Sequence, residues 1–243
     1  MAHAHRPLQA LIFDVDGTLA ETEKDGHRPA FNAAFAEQGL DWYWDEQHYG
    51  DLLAVAGGKE RIRHFVAQTH SELLAGEHFD ALIHRLHRQK TAHYLARVAA
   101  GSLPLRPGVA ETLRAARSLG IRLAIASTTT LDNVHALLNA TLGPSASSWF
   151  DVIGAGDVVA AKKPDPAIYH WVLQKLDAPK SACLAIEDSR IGLLAARAAG
   201  LACLVTPSAY SAGQDFSDAA GVIEDLSVLS KTLPRRQKQV SQN

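Results

Sequence analysis

The sequence predicts an α/β domain built on a doubly wound parallel sheet, with an all-helical segment inserted after its first strand. Two observations predict this fold. From about residue 106 onward, short apolar runs alternate with helical patterns, and helices of that kind serve as crossovers between parallel strands. Between residues 20 and 100 the apolar spacing is helical, with no convincing strand. The second pattern indicates a smaller helical unit, because the segment is too long for a simple loop.

Five strands are predicted from short apolar runs that end at polar residues or chain breakers. In chain order they cover residues 8–13, 121–126, 150–153, 182–186 and 201–205. The helices between them have their own boundary signals. Asp165 and Pro166 suit an N-cap and a first helical turn, and Gly120 and Gly200 suit helix C-termini. Strand and helix therefore alternate along the second half of the chain, as a doubly wound sheet requires.

The inserted segment is expected to form a lid. We predict a catalytic core from residues 1–20 and 100–235, a helical cap over residues 21–99 and a flexible tail at 236–243. Pro29 either lies in the first turn of the first cap helix or kinks that helix. The run Trp42-Tyr43-Trp44 is interpreted as the cap's own core rather than a sugar-stacking platform, although its alternation could leave one tryptophan exposed.

Composition narrows the class of partner. The 243 residues are 47% hydrophobic and 21% charged, and 24 Lys and Arg against 26 Asp and Glu give a net charge of −2. This balance argues against nucleic acid or an anionic membrane and favours a small molecule. Cys183 and Cys203 lie in apolar runs, which predicts buried thiols and a reducing, cytoplasmic location. The sequence has neither a membrane span nor a signal segment, and we expect a monomer.

Polar residues follow four of the five predicted strands. They are Asp14, Asp16, Ser127, Thr128, Lys162, Lys163, Glu187 and Asp188. Ligands of open parallel sheets bind beyond the carboxyl ends of the strands, so these side chains are expected to converge there. Carboxylates crowded at one edge repel one another unless a cation binds, and oxygen ligands suit Mg²⁺. A hydroxyl and a lysine beside that metal would hold the oxygens of a phosphate group.

Asp14 and Asp16 can divide the chemistry of phosphate transfer between them. A carboxylate can attack phosphorus to form an aspartyl-phosphate, and a second carboxyl group two residues on can protonate the leaving alcohol and later deprotonate water. The sequence therefore predicts a phosphate-processing enzyme with Asp14 as nucleophile and Asp16 as general acid and base.

The chain resembles the haloacid dehalogenase superfamily in four ordered motifs. They are Asp14-Val15-Asp16-Gly17-Thr18, Ser127, Lys163-Pro164 and Glu187-Asp188. The resemblance implies that Asp14 is also a metal ligand, and that the backbone carbonyl of Asp16 ligates the same metal. It further implies that Asp188 completes the metal shell, with Glu187 as a ligand or a partner of one. Dehalogenation is disfavoured, because dehalogenases of this superfamily lack the second aspartate.

The same resemblance assigns the phosphate-binding residues. It implies that Ser127 and Lys163 hold the transferring phosphoryl group. Thr128 could exchange roles with Ser127, and Lys162 competes with Lys163, although the proline after Lys163 favours the latter.

The helical insert is similar to the cap of the subgroup that contains β-phosphoglucomutase, phosphoglycolate phosphatase, phosphonatase and the CbbY-like phosphatases. The stretches most like the CbbY-like phosphatases are Leu19-Ala20-Glu21-Thr22-Glu23 with His27, Trp42-Tyr43-Trp44-Asp45 and Gly57-Gly58-Lys59-Glu60-Arg61-Ile62. The implied substrate is xylulose 1,5-bisphosphate. Candidate substrate-binding residues in the cap are Glu23, His27, Gly58, Lys59 and Arg61.

Several alternatives share these motifs. A β-phosphoglucomutase-like isomerase would return the phosphate to an alcohol instead of to water. A phosphoglycolate phosphatase is a further alternative. Phosphonate hydrolysis would need Lys59 as a Schiff base, although its flanking Glu60 and Arg61 do not desolvate it. A non-catalytic binding protein is disfavoured by the complete set of acids, hydroxyl and lysine.

Overall fold

The computed structural model describes residues 7–76 and 78–233, so the predicted tail at 236–243 lies outside the described residues. Its strands are β1 (Ala10–Phe13), β2 (Arg122–Ala126), β3 (Val152–Gly154), β4 (Cys183–Glu187), β5 (Ala202–Val205) and β6 (Gly221–Val222). They form one parallel sheet in the order β3-β2-β1-β4-β5-β6. The predicted doubly wound α/β fold is therefore confirmed.

Nine α-helices occur in the described part of the chain. They are α1 (Arg28–Glu37), α2 (Glu46–Leu52), α3 (Gly58–Thr69), α4 (Phe79–Ala99), α5 (Val109–Ser118), α6 (Leu131–Leu142), α7 (Ala167–Leu176), α8 (Arg190–Ala198) and α9 (Ser227–Thr232). The first four lie between β1 and β2, preceded by a π-helical turn at Glu23–His27. They form the all-helical insert, in which α1 packs against α4.

The central position of β1 explains its continuous apolar sequence. It pairs with β2 on one side and β4 on the other, with Phe13 opposite both Ile125 and Ile186. Leu11 and Phe13 pack into the apolar cluster on one face of the sheet, while Ala10 and Ile12 pack into the cluster on the other. Both faces are therefore covered, and the residues that follow β1 emerge at the middle of the sheet edge.

The cap has a hydrophobic core of its own. Trp42 and Trp44 are both buried in it, together with Phe31, while Tyr43 is 66% exposed. The interpretation of this aromatic run as cap core agrees with the structure. The suggestion that one tryptophan stays exposed is wrong, because both indole rings point inward and the intervening tyrosine points to solvent.

Three local features differ from the sequence-based prediction or refine it. Strand β6 was not predicted, since two residues leave no periodic signal. Phe150 precedes β3 and packs into the core, and the strand extends to Gly154 instead. Pro29 lies in the first turn of α1, directly after the π-helical turn. Its missing N–H falls where a helix has no partner for that group, so the first turn of α1 accommodates the proline without a break.

None of the helices within the described residues is both long and apolar enough to cross a membrane.

Candidate active site

Asp14 begins the candidate site directly after β1. Its backbone N–H donates to the Ile186 carbonyl of β4 (2.9 Å), which fixes it to the central strands. Its carboxylate is buried, and Oδ1 accepts a hydrogen bond from the Lys163 ammonium (2.7 Å). Burial raises the pKa of Asp14 well above its usual range, Glu187 and Asp188 raise it further, and Lys163 opposes the rise. An ionised Asp14 therefore depends on positive charge close by.

Lys163 supplies positive charge at this edge of the sheet. Its Nζ donates to Asp14 Oδ1 (2.7 Å) and to Glu187 Oε1 (2.5 Å). The Tyr169 hydroxyl of α7 donates to the same Glu187 oxygen, and the Tyr169 ring centroid lies 5.4 Å from Lys163 Nζ. Burial lowers the pKa of Lys163, but Asp14 and Glu187 outweigh burial and raise it above its ordinary value. Lys163 therefore stays charged at neutral pH.

Asp188 completes a cluster of three buried acids. One oxygen each of Asp14, Glu187 and Asp188 lies within 4.8 Å of the others. Burial raises the pKa of Asp188 to about 7, with Glu187 as the next cause. Gly17 makes room for this carboxylate, since its φ is +82° and a Cβ there would lie 2.2 Å from Asp188 Oδ2. Crowded buried carboxylates need compensating charge, and an all-oxygen set suits Mg²⁺, so these residues fit the expected metal.

The Asp16 carboxylate faces residues at the start of the cap. Its Oδ1 accepts hydrogen bonds from Thr22 Oγ1 (2.5 Å) and His27 Nε2 (2.9 Å). Lys90 Nζ lies 2.9 Å from His27 Nδ1. Because an ammonium group only donates, Nδ1 accepts and Nε2 carries the imidazole proton. Burial opposes ionisation of Asp16, but His27 and Thr22 outweigh it and hold the Asp16 pKa below its usual range.

Ser127 and Thr128 follow β2, next to the end of β1. Ser127 is buried, and its Oγ accepts a hydrogen bond from the Thr129 N–H (3.3 Å). Within residues 7–76 and 78–233 the Ser127 hydroxyl proton has no acceptor, so this group can donate to a bound anion. Thr128 lines the same space.

These side chains surround a cavity of about 280 Å³ at the carboxyl ends of the strands. It is lined from the core by Asp14, Asp16, Ser127, Thr128, Lys163, Glu187 and Asp188, and from the cap by Glu23 and Arg61. We call Asp14, Ser127, Lys163, Glu187 and Asp188 the core rim. We call Glu23, His27, Tyr49, Arg61 and Lys90 the cap cluster. Candidate residues from the core and from the cap thus line the same cavity.

Glu23 and Arg61 meet through Tyr49. The Tyr49 hydroxyl donates a hydrogen bond to Glu23 Oε2 and accepts one from Arg61 Nη1 (2.9 Å). Arg61 Nε donates to the Leu52 carbonyl (3.3 Å), and Arg61 Nη1 lies 3.8 Å from Glu23 Oε2. Arg61 is therefore a buried, oriented cation at the cap side of the cavity.

Gly58 and Lys59 lie outside that cavity, along a neighbouring cleft of about 360 Å³. Lys59 Nζ donates to Asp157 Oδ2 (2.6 Å), and Lys162 Nζ donates to Asp157 Oδ1 (2.7 Å). These hydrogen bonds hold the pKa of Asp157 down to about 2. In this structure Lys59 joins the cap to the loop after β3, and Lys162 turns to the same aspartate, leaving Lys163 to face Asp14.

Sequence reasoning missed four residues whose side chains form hydrogen bonds with the predicted site residues. They are Thr22, Tyr49, Lys90 and Tyr169. A signal existed for Lys90. It occupies one position of the buried stripe of α4, which consists of Ile83, Leu86, Lys90, Tyr94 and Val98. A lysine in an apolar stripe is a candidate for a buried functional charge. Tyr169 similarly follows Ile168 on a buried helix face, where its hydroxyl needs a partner.

Comparison with known proteins identifies the family of this chain. Residues 8–200 match the family of haloacid dehalogenase-like hydrolases. The chain is 54% identical to Protein CbbY of Rhodobacter capsulatus over 220 residues, which is 90% of this chain and 94% of that protein.

Solved structures give the same result. A CbbY variant from Rhodobacter sphaeroides in complex with xylulose-(1,5)bisphosphate superposes with a TM-score of 0.84 at 45% identity, covering 90% of this chain and 95% of that one. A β-phosphoglucomutase from Clostridium difficile shares the fold. Its identity is 21% and its TM-score 0.72, over 91% of this chain and 93% of that one. The protein is thus a phosphatase that belongs to the haloacid dehalogenase-like hydrolases and, within them, to the CbbY proteins.

Proposed function

We propose that this protein is a magnesium-dependent phosphatase that hydrolyses xylulose 1,5-bisphosphate through an aspartyl-phosphate on Asp14. The observation that carries the proposal is the shared cavity, in which the core rim faces a buried, oriented arginine of the cap. A bisphosphate needs positive charge at two places. Lys163 meets the phosphate that reacts, and Arg61 meets the phosphate that stays. The sugar bisphosphate held by the related CbbY variant supports this substrate class.

Binding comes first. The reacting phosphate lies between Asp14, the Lys163 ammonium and the free hydroxyl of Ser127, with Thr128 beside it. A bound Mg²⁺ would be held by Asp14, Asp188 and the Asp16 carbonyl, with Glu187 as a further ligand or partner, and would neutralise charge on the phosphoryl oxygens. Because Glu187 Oε1 already accepts from Lys163 and Tyr169, its contribution here is to hold Lys163 in place.

In the first chemical step a carboxylate oxygen of Asp14 forms a bond to phosphorus, and the bond from phosphorus to the sugar oxygen breaks. The leaving oxygen takes a proton from the Asp16 carboxyl group and departs as an alcohol. Asp16 is then a carboxylate, the form that the hydrogen bonds from Thr22 and His27 stabilise. These hydrogen bonds thus support the carboxylate form of Asp16 that the proposal requires between the two steps.

In the second step water forms a bond to phosphorus and gives its proton to Asp16. The bond between Asp14 and phosphorus breaks, which releases inorganic phosphate and returns both aspartates to their starting forms. Closure of the cap over this cavity would restrict which acceptor reaches the aspartyl-phosphate. The cytoplasmic location and the monomeric state remain predictions.

A substrate panel tests the proposal. Purified enzyme with Mg²⁺ is given xylulose 1,5-bisphosphate, β-glucose 1-phosphate or phosphoglycolate, and both inorganic phosphate and isomerised sugar are measured. We expect the highest kcat/KM for phosphate release from the bisphosphate, and no glucose 6-phosphate. Conversion of β-glucose 1-phosphate would indicate the mutase, and a preference for phosphoglycolate would indicate the monophosphate enzyme.

A further inference from the structure

Tyr49 lies between Glu23 and Arg61, the two charged cap residues that line the catalytic cavity. It lies in α2, is fully buried and does not itself line the cavity. Its hydroxyl donates to Glu23 Oε2 and accepts from Arg61 Nη1 at 2.9 Å. One phenol group therefore contacts both the acid and the base that face the substrate space.

The directions of these hydrogen bonds are fixed by chemistry. A guanidinium only donates, a carboxylate only accepts, and a phenol has a single proton. Arg61 must therefore donate to the Tyr49 oxygen, and the Tyr49 proton must go to Glu23. Burial raises the pKa of the Tyr49 phenol well above its usual range, so the proton stays on the hydroxyl. The phenol can satisfy both neighbours at once only in this arrangement.

The same arrangement leaves one polar atom of each neighbour available. Within the described residues, Glu23 Oε1 and Arg61 Nη2 have no hydrogen-bond partner. Both residues line the cavity of about 280 Å³. An acceptor and a charged donor are therefore free there, as a sugar hydroxyl and a distal phosphate require.

The Tyr49 ring is held from the cap and from the core. Its centroid lies 5.9 Å from the Trp44 ring in the cap and 5.8 Å from the Tyr210 ring. Tyr210 comes from the core loop after β5 and lines the cavity. Cap and core approach closely here, since a Cβ on Gly50 would lie 3.1 Å from Tyr210 Cδ1. The ring is thus fully supported where the cap rests on the core.

We propose that Tyr49 is a positioning residue for substrate selection, which sets Glu23 and Arg61 in the orientation that binds the sugar and its distal phosphate. This inference rests on the proposed function, since it requires a substrate that reaches the cap. Tyr49 acts on binding and leaves the phosphoryl transfer to the core rim. Its hydroxyl therefore contributes to KM for a sugar bisphosphate and not to the hydrolysis of a small phosphate ester.

Tyr49→Phe tests this role because it removes the hydroxyl and keeps the ring. The matched control is Tyr43→Phe, an exposed tyrosine of the same cap. Steady-state kinetics are measured with xylulose 1,5-bisphosphate and with p-nitrophenyl phosphate, which has neither a sugar hydroxyl nor a second phosphate. We expect Tyr49→Phe to raise KM for the bisphosphate about tenfold, with kcat and all p-nitrophenyl phosphate constants within about twofold. Tyr43→Phe should match the wild type.

Two outcomes would overturn the inference: an unchanged KM for the bisphosphate, or an equal loss on both substrates, which would mean a purely structural role. If Tyr49→Phe folds poorly by circular dichroism, Tyr49→His provides the second variant, since it keeps a ring in the cap core, removes the phenol and should show the same split between KM and kcat. Failure of the proposed function would look different, because the wild type would then release no phosphate from the bisphosphate. In that case KM and kcat of Tyr49→Phe and of the wild type are compared with the sugar phosphate of the panel that has the highest kcat/KM.

Discussion

The core rim lines one side of the cavity and the cap cluster reaches its other side through Glu23 and Arg61. The two groups differ in charge and in how they are built. The core rim has three buried carboxylates and one lysine. The cap cluster has Arg61 and Lys90 against Glu23, with His27 between Lys90 and Asp16. An acidic region can hold a divalent cation, and a basic region can hold an anion that does not react. Under the proposed function, the core rim carries out the chemistry and the cap cluster selects the substrate.

Loss of Asp14 should have the largest effect. We expect Asp14→Asn to lower kcat by at least about a thousandfold with every substrate, because the amide cannot attack phosphorus. Asp177→Asn, at an exposed position after α7, provides a matched control. Phosphate release measures the activity, and circular dichroism checks that the fold is retained. Undiminished turnover in Asp14→Asn would refute the division between core and cap.

Lys90 tests whether the cap also tunes the chemistry through Asp16. Burial lowers the pKa of Lys90 to about 8, so its charge disappears as the pH rises from 7 to 9. We expect kcat/KM of the wild type to fall over that interval. Lys90→Met should be about tenfold slower at pH 7 and should lack this descending step, because the variant has no proton to lose.

The pH profile of Lys90→Met is compared with that of Lys175→Met, an exposed lysine of α7. Lys175→Met should reproduce the wild-type profile. If Lys90→Met keeps the descending limb near pH 8, Lys90 is not the group that titrates.

Arg61 provides a test of selection. Arg61→Met should raise KM for xylulose 1,5-bisphosphate about a hundredfold, because a buried cation that meets a phosphate is lost. Its kcat with p-nitrophenyl phosphate should change by less than about threefold. Arg63→Met is the matched control, since Arg63 lies on the same helix and pairs with Asp80 at the surface. Equal losses with both substrates would remove the distinction between the two regions.

Lys59 should have the smallest effect. Its ammonium is engaged by Asp157, whose side chain is 64% exposed, and exposed ion pairs contribute little. We expect Lys59→Ala to change KM for the bisphosphate by less than about threefold. The difference should vanish in 0.5 M salt, because exposed charges are then screened over roughly 4 Å. A tenfold or larger increase in KM would instead show that Lys59 binds substrate directly.

The sequence predicted the sheet and the convergence of Asp14, Lys163 and Asp188 because a general rule connects them. Parallel strands bring their carboxyl ends to one edge, so residues far apart in sequence meet there. Lys163 and Asp14 are 149 positions apart and still form a hydrogen bond. Strand boundaries shifted by one or two residues without altering this edge, and β6 was too short to be recognised.

No comparable rule places side chains between packed helices. Tyr49 lies 26 positions from Glu23, and Lys90 lies 63 positions from His27. Their contacts depend on how α1 to α4 cross, which hydrophobic periodicity does not specify. The local motif Gly57-Gly58-Lys59 suggested a substrate contact, whereas in the structure Lys59 Nζ donates a hydrogen bond to Asp157 of the core. A motif in the cap thus identifies candidates, and tertiary packing decides which of them reach the cavity.

The most direct test of the account is to trap the reaction on the enzyme. Wild-type protein turning over xylulose 1,5-bisphosphate with Mg²⁺ is quenched in acid and reduced with borohydride, which converts an aspartyl-phosphate to homoserine, and its peptides are mapped by mass spectrometry. We predict homoserine at position 14, with none in the enzyme quenched before substrate is added. Steady phosphate release with no modification at position 14, or modification of a different carboxylate, would contradict the account.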